Sequence, residues 1–485
     1  MDRTFFGHPK ALATVFFAEL GERFSYYGMR ALLVLFLVNQ VATGGMGLDD
    51  RTATAIYGLY TASVYLVSLP GGWIADRILG GQRAVMWGAS LIACGHLILG
   101  LSGGSLALFG AGLVVIVAGT GLQKPNIAAL VAELYPEGGA RRDAGFTMFY
   151  MSINIGAAIG PVVTGGLVAL IGWHAGFVAA AVGMALGVAW FAWSRRWLGA
   201  AGLLPPDRRP RTAHKAGALG ATLLLLGAVA LMLAGVVPVS PIALQGAGIY
   251  VILVAIVAYF IYLFAFAGLD AAERRRLGLV LVLFLAATVF WSGFEQAGSS
   301  LNLFAERYTD RILGSFEIPA SWFQSLNSIF IILFAPALSA VWLALARRER
   351  DLSAVAKFVF GLLGMGTGFL VMAAAAGVVA GGHLAAPTWL VFTYLLHTWG
   401  ELCLSPIGMS ATSQLVPQRF VGQSMGIWYT TLAFGNLLAS RIAGEFDDRN
   451  VGAMPGQYLR IFWFGAIAAA LLLLALPLVR RAAPR

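Results

Sequence analysis

Glu19-Leu20-Gly21-Glu22-Arg23-Phe24-Ser25-Tyr26-Tyr27-Gly28-Met29-Arg30 puts four charged side chains inside the first long apolar stretch of the chain. A charge near a bilayer centre costs about 2.5–3.5 kcal/mol on insertion scales, so four in one span persist only where they face a polar cavity and find partners. On a helix turning about 100° per residue, with Glu19 at zero, Arg30 falls at roughly 20°, Tyr26 at −20°, Arg23 at 40°, Glu22 at −60° and Tyr27 at 80°. All six share one face. Gly21, Phe24, Ser25, Gly28 and Leu32 take the other, where small residues suit close helix packing and large apolar ones suit lipid. Two such charges would fit a static ion-pair cluster as well as a functional site. Four of them with two tyrosines point to a pathway.

The rest of the chain gives that helix its setting. Of 485 residues, 59% are hydrophobic and 11% are charged, a balance that excludes a soluble chain of this length. Apolar stretches long enough for a hydrocarbon core of ~30 Å recur throughout, and about fourteen can be read. They include 11–40, 51–76, 216–236, 242–268, 278–305, 387–416 and 420–441. The expected fold class is an all-α polytopic membrane protein.

The net charge of +10 is distributed as a topology signal. Alternate loops hold Arg3, Lys10, Arg77, Arg83, Arg141, Arg142, the basic residues from Arg195 to Lys215, Arg274 to Arg276, Arg347, Arg348, Arg350, Lys357 and Arg419. The opposite loops and span ends hold only Arg51, Arg307, Arg311, Arg441, Arg449 and Arg460. The positive-inside rule then places both termini in the cytoplasm. The partner implied by this basic excess is anionic membrane lipid rather than nucleic acid. Residues 1–10 lack a cleavable signal pattern, and the first span is too charged to be a signal core. Cys94 and Cys403 both fall within spans, which argues against a disulfide framework or a thiolate metal site.

The most polar interior stretch runs from Arg195 to Lys215 with Pro205, Pro206 and Pro210, and reads as a linker. The two spans after it, about 216–268, offer almost no polar residues and read as lipid-facing packing. Asp270 to Arg276 then leads into a second half. The expected organisation is a six-helix bundle over 1–197, a linker with two additional helices over 198–276, and a second six-helix bundle over 277–485. Repeated halves around a central site are the usual build of secondary transporters.

Polar residues recur inside the spans of both halves. The fourth helix carries Gln123-Lys124-Pro125-Asn126, and the fifth carries Tyr150 and Asn154 one turn apart. Tyr57 and Tyr65 lie on the second and Asn327 on the eighth of the twelve repeated helices. The seventh has Trp291 and Glu295 on one face, the tenth has Glu401 and Ser405, and the eleventh has Trp428 with Tyr429. Asn154, Asn327, Tyr57 and Tyr65 taken singly fit interhelical hydrogen bonds worth about 0.6 kcal/mol each. Glu295, Glu401 and Lys124 are functional candidates by virtue of their charge at membrane depth. Arg23, Arg30 and Lys124 outnumber Glu19 and Glu22 in the first half, whereas Glu295 and Glu401 leave the second half negative. A zwitterion with separated ammonium and carboxylate ends suits a cavity of that kind.

The quoted runs resemble the proton-dependent oligopeptide transporters of the major facilitator superfamily, over about residues 10 to 480. The likeness rests on E-x-x-E-R-F-x-Y-Y at Glu19 to Tyr27, on Lys124, on F-Y-x-x-I-N-x-G at Phe149 to Gly156, on W-x-x-x-E-Q at Trp291 to Gln296 and on G-E-x-x-x-S-P at Gly400 to Pro406. Gly71-Gly72-Trp73-Ile74-Ala75-Asp76-Arg77 resembles the superfamily's motif in the loop between the second and third spans, where its acid-base pair would latch helix ends. The resemblance implies a major facilitator fold of about fourteen transmembrane helices. It also implies proton-coupled symport of di- and tripeptides by alternating access, without a cofactor. Glu19, Glu22 and Arg23, with Lys124, then correspond to the proton-coupling cluster. Arg30 corresponds to the arginine that meets the substrate carboxylate and pairs with Glu295 when the periplasmic side closes. Glu401 receives the substrate ammonium and pairs with Lys124 when the cytoplasmic side closes. Tyr27, Tyr65, Asn154, Trp291, Asn327, Ser405 and Trp428 match the pocket wall.

Three departures refine the expectation. Ala157 stands where the family often has serine, and no histidine lies on the second helix, so coupling rests on carboxylates. The short connection from Gly377 to Pro387 and the extra helix pair point to a bacterial inner membrane. Nothing in the chain requires more than a monomer. The alternative reading within transport is another small organic or anionic solute. An enzyme is not expected, because no H-E-x-x-H, intramembrane aspartate pair or Ser/His dyad is present. Gly364-Met365-Gly366-Thr367-Gly368 lacks the preceding strand of a nucleotide loop and reads as helix packing.

Overall fold

The computed structural model describes residues 5–204, 212–236, 239–350, 352–446 and 450–482. Fourteen long helices run through these residues. They are α1 (Ala11–Val38), α2 (Asp50–Leu79), α3 (Gly81–Gly100), α4 (Leu106–Glu133), α5 (Gly139–Leu170), α6 (Trp173–Ser194) and α7 (Thr212–Leu233), then α8 (Pro241–Phe266), α9 (Ala271–Tyr308), α10 (Ala320–Arg347), α11 (Ala354–Ala380), α12 (Thr388–Leu415), α13 (Val421–Ala443) and α14 (Met454–Ala482). Eleven of the fourteen are long and apolar enough to cross a membrane. The three that fall short, α1, α12 and α13, are among those carrying the polar residues singled out above, including Glu19, Glu401 and Trp428. Putting chemistry on a span lowers its hydropathy.

The helices form two compact units, one reaching Leu48 and including Ser63–Ser240, the other comprising Asp49–Ala62 and the chain from Pro241 onward. The pairing scheme of the first unit recurs in the second. α1 packs on α5 and α6, and α3 packs on α4 and α6, just as α9 packs on α13 and α14, and α11 on α12 and α14. α2 meets α4 as α10 meets α12. α7 belongs to the first unit and α8 to the second.

Local chemistry sets the helix ends. The Ser105 hydroxyl accepts from the Leu108 N–H at the start of α4, and Ser353 accepts from Ala356 at the start of α11. Asp270 and Glu273 form a reciprocal capping box at the start of α9, satisfying two otherwise orphaned amides. α9 then breaks its regular winding at a tight turn, Glu295–Gly298, before resuming at Ser300.

The structure corrects several expectations. Gly71 to Arg77 is helical, because α2 continues to Leu79 and stops only at Gly80, whose φ of 80° ends it. Gly71 lies against the backbone of Gly121, which leaves no room for a Cβ. Asp76 and Arg77 are exposed, and neither forms a salt bridge among the described residues. Phe24 and Leu32 do not face lipid. They pack over Gly183 and Gly176 of α6, so that α1 is buried almost all round. α8 is also less featureless than it reads, since Gln245 and Tyr259 hydrogen-bond to α13. Linker residues Pro205, Pro206 and Pro210 lie outside the described residues, as do Arg3 and Arg449. The stretch before the prolines is tied down, with the Gly202 N–H donating to Glu133 Oε2 at 2.6 Å.

Candidate functional site

In the first unit the site begins with how closely α1 is held. Gly21 lies against the backbone of Gly183 and Gly187 on α6, and Gly28 against Gly160 and Thr164 on α5. Thr164 Oγ1 donates to the Gly28 carbonyl at 3.1 Å. Small residues here let three backbones approach, and packing of this kind is what drives helix association in lipid.

The polar stripe of the same helix is buried as well. Glu19, Glu22, Arg23 and Arg30 are each less than one-tenth exposed. Arg23 Nε donates to Glu19 Oε1 at 2.7 Å and lies 3.0 Å from Glu22 Oε2. One guanidinium is thus shared by two carboxylates. Glu19 Oε2 and both Glu22 oxygens accept no hydrogen bond among the described residues. Lys124, half-buried on α4, holds its ammonium 3.9 Å from the centre of the Tyr65 ring and within electrostatic reach of Glu22. The Arg30 guanidinium lies 5.8 Å from the Tyr27 ring centre. The structure therefore brings Glu19, Glu22, Arg23, Lys124 and Tyr65 into one neighbourhood, with Arg30 and Tyr27 further along α1. Asn154 is buried, but its amide donates to the Tyr150 carbonyl of its own helix at 3.0 Å.

In the second unit, Glu401 and Asn327 meet. Asn327 Nδ2 donates to Glu401 Oε2 at 2.9 Å and to Thr398 Oγ1 at 3.0 Å, joining α10 to α12. Ser405 sits half-buried one turn beyond Glu401, just before Pro406, whose missing N–H interrupts the ladder of α12. Glu295 is buried at the break in α9. Its neighbour Gln296 organises that turn: Nε2 donates to the Ala439 carbonyl at 2.9 Å, and Oε1 accepts from Ser300 Oγ at 2.6 Å. Trp291 is buried against Gly435 of α13, where a Cβ would collide with it, and its indole N–H has no partner among the described residues. Trp428 is buried with its ring over Gly408 of α12 and 6.5 Å from the Phe358 ring of α11.

Sequence reasoning missed the organising part played by Gln296, although the residue closes the W-x-x-x-E-Q run. It also missed Thr398, whose signal was its position three residues before Glu401. Among the described residues no group of three or more His, Cys, Asp or Glu could hold a metal, and Cys94 and Cys403 are both free thiols. Gly364, Gly366 and Gly368 lie mid-helix in α11 against α12 and α14, in keeping with a packing role.

Comparison with known proteins agrees with this architecture. The signature PTR2, described as the POT family, matches residues 82–458. The chain is 44% identical to the peptide transporter YePEPT of Yersinia enterocolitica, over 99% of this chain and 96% of that protein. It is 35% identical to the di-/tripeptide transporter of Lactococcus lactis subsp. cremoris, over 92% and 91%. Among solved structures, a peptide transporter POT in complex with sulfate superposes with a TM-score of 0.90 at 37% identity, covering 99% of this chain and 96% of that one. A POT family transporter in complex with 5-aminolevulinic acid gives 0.88 at 33%, covering 99% and 98%. With that signature across most of its length and relatives aligned nearly end to end, this multi-pass membrane protein belongs to the POT family.

Proposed function

We propose that the protein is a proton-coupled symporter that takes up di- and tripeptides by alternating access. The observation that carries the reading is the buried cluster on α1, where Glu19 and Glu22 share Arg23 at 2.7 and 3.0 Å. A buried carboxylate oxygen without a hydrogen bond is costly. A proton on Glu22 or Glu19 relieves that cost and loosens the hold on Arg23 and Lys124. Peptide transport is supported by relatives named as peptide and di-/tripeptide transporters, and by a related POT structure in complex with a thioalcohol conjugated peptide.

In this reading Glu19, Glu22, Arg23 and Lys124 couple the proton. Arg30 takes the peptide carboxylate and pairs with Glu295 in one gate; Glu401 takes the ammonium and pairs with Lys124 in the other. Tyr27, Tyr65, Asn154, Trp291, Asn327, Ser405 and Trp428 complete the pocket. The buried, unsatisfied indole N–H of Trp291 supports its place there, because a substrate carbonyl would satisfy it. The working parts are the bundles 1–197 and 277–485 with 198–276 between them. The protein acts as a monomer in a bacterial inner membrane, with both termini cytoplasmic, anionic lipid around it and no cofactor, enzymatic step or nucleic acid involved.

The test is uptake of alanine peptides into liposomes holding the purified protein, at two external pH values. Accumulation that rises as the outside is acidified supports symport; binding without uptake, or uptake indifferent to the pH gradient, refutes it. A second reading, transport of a different small organic solute, is favoured by the relative in complex with 5-aminolevulinic acid. Competition between that compound and dialanine separates the two.

A further inference from the structure

α8 reads as one of a pair of apolar helices with no part in transport, yet it is fastened to α13 at two points. Gln245 Nε2 donates to Ser440 Oγ at 2.6 Å, and the Ser440 hydroxyl donates in turn to the Leu437 carbonyl at 2.9 Å. Fourteen residues further along α8, Tyr259 Oη and Ser424 Oγ share a hydrogen bond of 3.0 Å. Residue numbers rise along α8 as they fall along α13, so the two helices run antiparallel. Ile252, Ile256, Phe260 and Leu263 are buried between and beside these clasps, while Tyr250, Val254 and Val257 on the opposite face are exposed.

The stretch of α13 between the clasps, Ser424 to Ser440, meets both tryptophans assigned to the pocket. Trp428 lies one turn after Ser424, and Gly435 is the seat of Trp291. Tyr259, Ser424 and Trp428 also line one narrow crevice. The buried Thr412 Oγ1 on its wall has no partner among the described residues. Gly435 of α13 meets Trp291 at its Cβ and backbone, and Trp428 is itself part of α13, so both tryptophans depend on where α13 lies. α13 is in turn placed by α9, α12 and α8.

We propose that α8 is a clamp on α13, and that Gln245 and Tyr259 are positioning residues which hold Trp428 and Trp291 in register for substrate. The proposal rests on the peptide reading above in taking those tryptophans as pocket wall. Interhelical hydrogen bonds in lipid average about 0.6 kcal/mol. Losing both clasps therefore raises KM about eightfold, which is ~1.2 kcal/mol at 1.4 kcal/mol per tenfold.

The experiment compares wild type with Gln245→Leu, Tyr259→Phe and the double variant. It measures dialanine KM and kcat in liposomes, and backbone deuterium exchange over residues 424–441 in detergent. The expected result is a KM rise of a few-fold in each single variant and about eightfold in the double, with kcat within twofold. Protection across α13 falls in parallel, and Tyr262→Phe on the exposed face changes nothing. Ser424→Ala is expected to reproduce Tyr259→Phe and Ser424→Thr to restore wild-type KM, which separates a clasp from general loss of folding. An unchanged KM overturns the proposal even if exchange increases, because the pocket then does not depend on the clamp. If wild type binds no dialanine, the peptide reading falls by itself. The exchange data then decide the clamp, with lost protection supporting it and unchanged protection overturning it.

Discussion

Glu22→Gln keeps the shape of the side chain and removes its capacity to carry a proton. Arg23 retains Glu19 at 2.7 Å, so α1 still holds a paired guanidinium and its glycine contacts with α5 and α6 are untouched. A zwitterionic peptide has no net charge, so alone it reaches equal concentrations on both sides at any potential. One proton moved with it carries one charge, worth about 2.3 kcal/mol at 100 mV. At about 1.4 kcal/mol per tenfold, that sustains roughly 50-fold accumulation. Liposomes with an imposed potassium diffusion potential and labelled dialanine give the ratio directly. In the variant the ratio is expected to fall from roughly 50 to about 1, while exchange of labelled for unlabelled peptide continues. A variant that still accumulates like wild type refutes the assignment of coupling to Glu22. One that loses exchange together with accumulation shows that the residue serves binding or folding instead.

Glu401→Ala removes the acceptor of Asn327 while leaving Asn327 its bond to Thr398, so the packing of α10 on α12 persists. Hydrogen bonds to charged groups are worth about 1.5–3 kcal/mol, so binding of peptides with a free N-terminus is expected to weaken roughly 10- to 150-fold. Competition assays should show little change for N-acetylated peptides, and equal losses for both would refute the ammonium role. Gly435→Val places a branched side chain against Trp291 and is expected to destabilise the protein by about 1–3 kcal/mol. An unchanged melting temperature in detergent would reject the close approach of α13 to α9. Asp50 and Arg307 form a paired contact at 2.6 and 2.8 Å near the surface of the second unit. Asp50→Asn is therefore expected to cost only about 0.2–1 kcal/mol and to reduce the sensitivity of melting to salt. A salt response identical to that of wild type would show that the pair contributes nothing.

Much of this was legible because charge in a membrane is expensive. Glu19, Glu22, Arg23 and Arg30 announced a buried polar stripe, and the structure finds the first three within one shared contact. The same reasoning misled where it assumed that a helix with a polar face must have a lipid face. Phe24 and Leu32 read as lipid-facing, yet Gly183 and Gly176 on α6 leave hollows that these side chains fill. The motif at Gly71 to Arg77 reads as a loop because paired glycines and adjacent charges suggest a turn. In place, the glycines let α2 approach α4, and the chain turns only at Gly80. The break in α9 carries no proline to betray it, since the turn depends on Gln296 reaching a carbonyl more than a hundred residues away. Gln245 and Tyr259 escaped notice for a related reason. Two polar side chains fourteen residues apart leave no periodic trace in hydropathy, and only the antiparallel match with Ser440 and Ser424 gives them meaning.

The histidines make the same point about what a proton carrier requires. His96 and His397 are the two that lie deep within long helices, and both are buried. His96 has no hydrogen-bond partner for either nitrogen among the described residues, and His397 rests against Phe369 at 4.9 Å. A group that switches a transporter has to change someone else's pairing when its charge changes, because a shift between states needs a difference in interaction between them. Neither histidine has a charged side chain bonded to it among the described residues. Glu22 shares a guanidinium with Glu19 and lies within electrostatic reach of Lys124, so on the proposed coupling its neutralisation is expected to loosen both cations. That difference in connectivity, more than depth in the membrane, is why the carboxylates on α1 rather than the buried imidazoles are assigned the proton.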